Sequence, residues 1–106
     1  MIHSDLQSYA GVIFISPDAP PQTGTSFYRS KKYPTIRSVH SKDSHYDEIY
    51  ENDYYDRTRF DLVDTIGNVY NRLVIWNARM IHSASEYFGN DINNSRLFQL
   101  FFFDTE

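Results

Sequence analysis

Two histidines, an aspartate and an arginine are the residues whose types and spacing could do chemistry. His3 and Asp5 stand two apart in the opening MIHSD. On an extended strand, positions i and i+2 leave the same face, so an imidazole and a carboxylate would project together. That is two-thirds of a 2-His-1-carboxylate triad, which grips one face of an Fe(II) ion and leaves the opposite positions open. His82 is the natural third ligand, because a distant strand can return it beside the first pair. A solvated chain start is the competing reading of His3 and Asp5, since H-x-D recurs by chance.

Arg96 adds weight to the triad. It opens an apolar run, LFQLFFF, where an arginine is costly to bury unless an anion pairs with it. By strand alternation Arg96, Phe98, Leu100 and Phe102 share one face, and Leu97, Gln99, Phe101 and Phe103 the other. Turned inward, its guanidinium would suit two-pronged recognition of a carboxylate. Turned outward, it would meet water, or pair with Asp91 or Glu86. Tyr9 and Tyr28 could each offer a phenol to a pocket carboxylate, or stand at the edge of a core with the hydroxyl in water. His40 and His45 read as solvated loop residues, and Arg72 and Arg79 as surface residues.

The elements that must position these groups are short strands. Ile2–Ile15 alternates and then turns continuously apolar, which predicts one strand or two in succession. Ser16–Gly24, with three prolines, is a turn or rigid loop. Thr25–Arg29 is a short β-like run. Ser30–Arg59 is the most polar segment, a polar insertion or a lid, and inside it Tyr46, Ile49, Tyr50, Tyr54 and Tyr55 recur at helical spacing, predicting one short helix. Phe60–Ile66 alternates, Gly67–Asn68 signals a turn, and Val69–Trp76 and Leu97–Phe103 complete the strands. Five to seven short strands with little helix give an all-β fold, a sandwich or barrel.

Composition narrows the function. A chain of 106 residues is one small domain, residues 1–106, and 41% hydrophobic content suffices for a core. Net charge is −4, which argues against nucleic acid as a partner. With no cysteine, disulfides and thiolate zinc sites are excluded. No apolar run reaches the roughly 20 residues that span a bilayer, and the first residues lack the features of a secretion signal, so a soluble cytoplasmic protein without membrane contact is the expectation.

The ordered set H-S-D at His3–Asp5, YAGVIFI with its proline loop and GTSFY, NRLVIWNARMIHSASEYFG, and an Arg-led final strand resembles the Fe(II)- and 2-oxoglutarate-dependent dioxygenase superfamily. More narrowly, it is similar to small prolyl-hydroxylase-like oxygenases. The resemblance runs from His3 to Phe103 and is least determined over Ser30–Arg59.

The resemblance implies a double-stranded β-helix, the jelly-roll or cupin-like core. Iron would sit on His3, Asp5 and His82, and 2-oxoglutarate on Arg96, with Tyr9 as a further cosubstrate contact. Such enzymes couple decarboxylation of 2-oxoglutarate, giving succinate and CO2, to hydroxylation of a second substrate. Relatives carry a first core strand and helices upstream of H-x-D, so the chain reads as a C-terminal fragment, incomplete at the N-terminus. Both faces of the final strand are apolar, which predicts a homo-oligomer. The rival expectation is a non-catalytic jelly-roll binding module, or an inactive truncated oxygenase.

Overall fold

The computed structural model describes residues 1–50, 56–85 and 98–104. Among them six strands and one short α-helix follow in chain order. They are β1 (Tyr9–Phe14), β2 (Thr25–Ser30), α1 (Tyr46–Tyr50), β3 (Phe60–Ile66), β4 (Leu73–Asn77), β5 (His82–Ala84) and β6 (Phe98–Phe103). The strands form two three-stranded antiparallel sheets, ordered β4-β1-β6 and β3-β2-β5. The chain is thus mainly β, as alternation predicts, and the described sheets do not close into a barrel.

In the first sheet β1 is central, and its period-two alternation sets which side is which. Ala10, Val12 and Phe14 are buried, opposite Trp76, Val74 and Leu100 on the flanking strands. They join Phe27, Trp76 and Ala78 in one apolar core, in which Trp76 meets Phe27 edge-on at 5.8 Å between ring centroids. On the reverse side the Phe101 ring covers Gly11 so closely that a Cβ there would come within 2.4 Å of it.

In the second sheet β2 is buried on both faces. Phe27 belongs to the first core, and Tyr28 to a second made with Ile2, Val39, Ile49, Tyr50, Phe60 and Ile81. The register against β3 shifts between these two residues, Phe27 facing Asp64 and Tyr28 facing Leu62, which marks a bulge at Val63.

The polar segment Ser30–Arg59 supplies Val39, Ile49 and Tyr50 to this second core, each 1% exposed. Its described residues therefore cover the second sheet and do not act as a lid over the first core. A five-residue helix has no stability of its own, and α1 is held by its surroundings. Arg59 donates to the carbonyl oxygens of Glu48, Ile49 and Tyr50 at 2.7, 2.8 and 2.7 Å, satisfying its C-terminal end. Tyr54 and Tyr55, expected to extend this helix, lie outside the described residues.

Two expected strands are shorter than alternation suggests. The run from Ile2 becomes strand only at Tyr9; before it, His3 makes an isolated antiparallel bridge with His82. The run from Val69 becomes strand only at Leu73, because Asn71 takes a left-handed conformation (φ 68°) and the Arg72 N–H closes a turn onto the Val69 carbonyl. Asn is among the few residues that adopt that conformation readily.

Candidate metal centre

His82 does not continue β4. The chain turns back through Asn77–Met80, where the Met80 N–H donates to the Asn77 carbonyl at 2.9 Å, and His82 opens β5 in the other sheet. There it pairs with Phe27 on one side and with His3 on the other. The His3–His82 bridge is reciprocal, each backbone N–H donating to the other's carbonyl at 2.9 Å, and it brings the two rings to 4.4 Å between centroids. Asp5 is pinned by its own backbone N–H, which donates to the Ala78 carbonyl at 2.8 Å.

The three side chains converge. His82 Nε2 lies 3.1 Å from Asp5 Oδ2, and His3 Nε2 lies 3.5 Å from Asp5 Oδ1. One ligand atom from each of the three falls within 4.8 Å of the others. Bonds of about 2.0–2.2 Å to a first-row metal place donors roughly 3 Å apart, so modest contraction would complete the set.

Proton placement is fixed by the far side of each ring. His82 Nδ1 lies 2.6 Å from the Met80 carbonyl oxygen, and His3 Nδ1 lies 2.9 Å from that of Met1. A carbonyl only accepts, so each Nδ1 carries a hydrogen, and a ring in its neutral form presents a bare Nε2. This is the outer hydrogen bond that orients metal-ligating histidines. Burial holds the His3 pKa below its ordinary value and favours the neutral ring that a metal requires. Asp5 Oδ2 is buried and has no hydrogen-bond donor among the described residues. Lone-pair atoms facing one another in this way are brought together by a metal ion, or by a proton shared between a ring nitrogen and Asp5.

A cavity of about 120 Å³ opens from this cluster. Besides the triad it is lined by Val12 and Trp76 from the first core, Thr25 and Ala84 from the second sheet, and Phe98, Leu100 and Phe102 from β6. The Trp76 ring meets His82 edge-on at 5.2 Å between centroids, and its buried indole N–H finds no acceptor among the described residues.

The other sequence candidates fall elsewhere. Tyr9 sits on the reverse side of β1, stacked on Phe103 at 5.2 Å between centroids, because it is an odd number of positions from the inward-facing Ala10 and Val12. The cosubstrate contact expected of it is corrected accordingly. Tyr28 is buried in the second core. Arg72 donates to the Gly67 carbonyl and Arg79 to that of Leu6, and neither lines the cavity. His45 packs against the Tyr33 ring, and His40 accepts from the Lys42 N–H. Arg96 lies outside the described residues. Sequence reasoning missed Thr25, and it missed the Met1 and Met80 carbonyls, which as backbone groups leave no residue-type signal.

The chain belongs to DUF6445, a family of unknown function whose profile covers residues 3–102. No curated protein and no solved structure matches it. Among the described residues no helix is long and apolar enough to cross a membrane.

Proposed function

We propose that this DUF6445 chain is an Fe(II)- and 2-oxoglutarate-dependent oxygenase with its iron held by His3, Asp5 and His82. The observation that carries the reading is the meeting of two bare imidazole nitrogens and a carboxylate lacking a hydrogen-bond donor among the described residues, within 4.8 Å of one another. Two neutral nitrogens and one carboxylate on one side of an ion suit non-haem Fe(II), with positions left for cosubstrate and oxygen. When bound, the iron would supply oxygen activation coupled to decarboxylation of 2-oxoglutarate, giving succinate, CO2 and a hydroxylated product.

The chain's own residues orient and enclose. The Met1 and Met80 carbonyls fix the two imidazoles with Nε2 turned inward. The β6 side chains and Trp76 limit water beside the cluster. Arg96 is proposed, on the sequence alone, to take the distal carboxylate of 2-oxoglutarate. The two facing antiparallel sheets suit an open double-stranded β-helix, and we place the chain in that architecture. A cytoplasmic setting belongs to the same proposal, since reducing conditions keep iron ferrous.

Anaerobic titration with Fe(II), then 2-oxoglutarate, tests the reading. One iron per chain, a visible charge-transfer band when 2-oxoglutarate is added, and loss of both in His82→Ala are expected. Iron uptake without 2-oxoglutarate binding would leave a metal-binding jelly-roll module, and no uptake would end the proposal.

A further inference from the structure

Phe98, Leu100 and Phe102 face the cavity, yet they are 37%, 47% and 42% exposed. Strand β6 is hydrogen-bonded to β1 along this stretch, Val12 opposite Leu100 and Phe14 opposite Phe98, so its inner face is fixed in place beside the cavity. An apolar face turned toward a ligand-binding cluster is a surface awaiting an apolar occupant.

Charge and size restrict that occupant. Asp5 is the only carboxylate among the described residues that line the cavity, and the metal reading already uses it. No lysine or arginine among the described residues lines the cavity, so none of the side chains on this wall pairs with an anionic group. Among the described residues outside the triad, Thr25 is the single hydroxyl on the wall, with three aromatic rings and three aliphatic side chains. A cavity near 120 Å³ admits one ring; apolar cavities of roughly 150 Å³ take up benzene.

We infer that the β6 wall, with Val12 and Trp76, selects a small molecule carrying one uncharged ring and holds that ring beside the metal. The inference rests on the metal reading of His3, Asp5 and His82, and it names the substrate class for that site. Leu100 and Phe102 act as specificity-determining contacts through the area they withdraw from water. Trp76, the chain's single tryptophan, forms part of the wall, so its emission changes when the ring enters.

The test uses the full chain loaded with Zn(II), a redox-silent ion that three such ligands hold with a position open. Acetohydroxamate and benzohydroxamate are titrated by calorimetry, with Trp76 emission followed in parallel. Both probes offer the metal the same oxygens and differ in a methyl against a phenyl group. Benzohydroxamate is expected to bind about tenfold more tightly, the scale for withdrawing part of one ring from water, and to shift Trp76 emission where acetohydroxamate does not. In Leu100→Asn, whose side chain is already half exposed, the preference is expected to fall to about twofold while Zn(II) uptake stays stoichiometric, which also checks folding. Equal affinities on stoichiometrically loaded protein overturn the ring selection and leave the metal site standing. Failure to take up Zn(II) overturns both.

Discussion

His82 turns its bare Nε2 toward a carboxylate oxygen of Asp5 at 3.1 Å while its Nδ1 hydrogen goes to the Met80 carbonyl. Two acceptors at that distance need a positive charge between them, a metal ion in the proposed site or a proton on Nε2. Occupancy should therefore stabilise the fold, because the donors are not gathered in the unfolded chain. At a free metal concentration one hundred times Kd the gain is about 2.7 kcal/mol, and for a chain of this size Tm should rise by about 10 °C or more. Thermal melts with and without Zn(II), reversed by a chelator, measure this. His82→Ala and Asp5→Ala should melt at the same temperature with or without metal. A metal-independent Tm in the unaltered chain would refute the cluster.

Glycine provides a sharper structural test, because two glycines are crowded in different ways. A Cβ at Gly24 would lie 1.8 Å from the Ile66 carbonyl oxygen, and backbone in a paired strand cannot move aside. At Gly11 the obstacle is the Phe101 ring, which can swing outward from its half-buried position. Gly24→Ala should cost about 2–3 kcal/mol or prevent folding, and Gly11→Ala about 1 kcal/mol, the span usual for overpacking. Urea unfolding of the two variants checks the order, and a costlier Gly11→Ala would contradict the packing of Phe101.

The end of α1 depends on a side chain remote in sequence. Arg59 reaches three successive carbonyls at the C-terminal end of the helix, those of Glu48, Ile49 and Tyr50. Arg59→Ala should destabilise by about 1.5–3 kcal/mol, the scale of hydrogen bonds to a charged group. Arg59→Lys should recover only part, because a single ammonium cannot span the three oxygens as a planar fork does. Chemical denaturation distinguishes these outcomes, and an unchanged midpoint in Arg59→Ala would show that tertiary burial of Ile49 and Tyr50 holds the helix alone.

What could be read in the sequence follows from which interactions are local. Period-two alternation located Phe60–Ile66 to the residue and sorted the inner from the outer side chains of β6, because strand geometry acts over two positions. The i, i+2 spacing of His3 and Asp5 placed them side by side, although neither lies in a regular strand. The passage of His82 into the second sheet was not legible: it depends on the turn at Asn77–Met80 and the bridge to His3, both set by tertiary pairing. Tyr9 was misassigned because the phase of β1 is fixed by its partners Trp76 and Phe102 opposite Ala10, not by composition. The polar look of Ser30–Arg59 hid Val39, and the helical recurrence of Ile49 and Tyr50 predicted the helix without showing the core it joins.

The outer face of the first sheet yields the last prediction. Opposite the cavity, Tyr9, Leu73, Ile75 and Phe103 are 37%, 53%, 51% and 38% exposed, and Ile13 and Phe101 are half-buried between them. Tyr9 pairs across the strands with Phe103, Gly11 with both Ile75 and Phe101, and Ile13 with Leu73, so these side chains form one continuous sheet surface. No charged residue occupies these paired positions. A charge-free face carries no repulsion against its own copy, and a two-fold axis through β1 would lay Tyr9 and Phe103 of one chain on Leu73 and Ile75 of the other. Burying each such side chain contributes about 1.5–3 kcal/mol, enough in sum to exceed the entropy lost on association. The chain should therefore sediment as a dimer at tens of micromolar. Ile75→Lys, which places two ammonium groups near the axis, should yield a monomer that still binds Zn(II), since Ile75 faces away from His82. A monomeric unaltered chain would refute the dimer. A dimer that survives Ile75→Lys would move the interface to the open edge of β4 or β6.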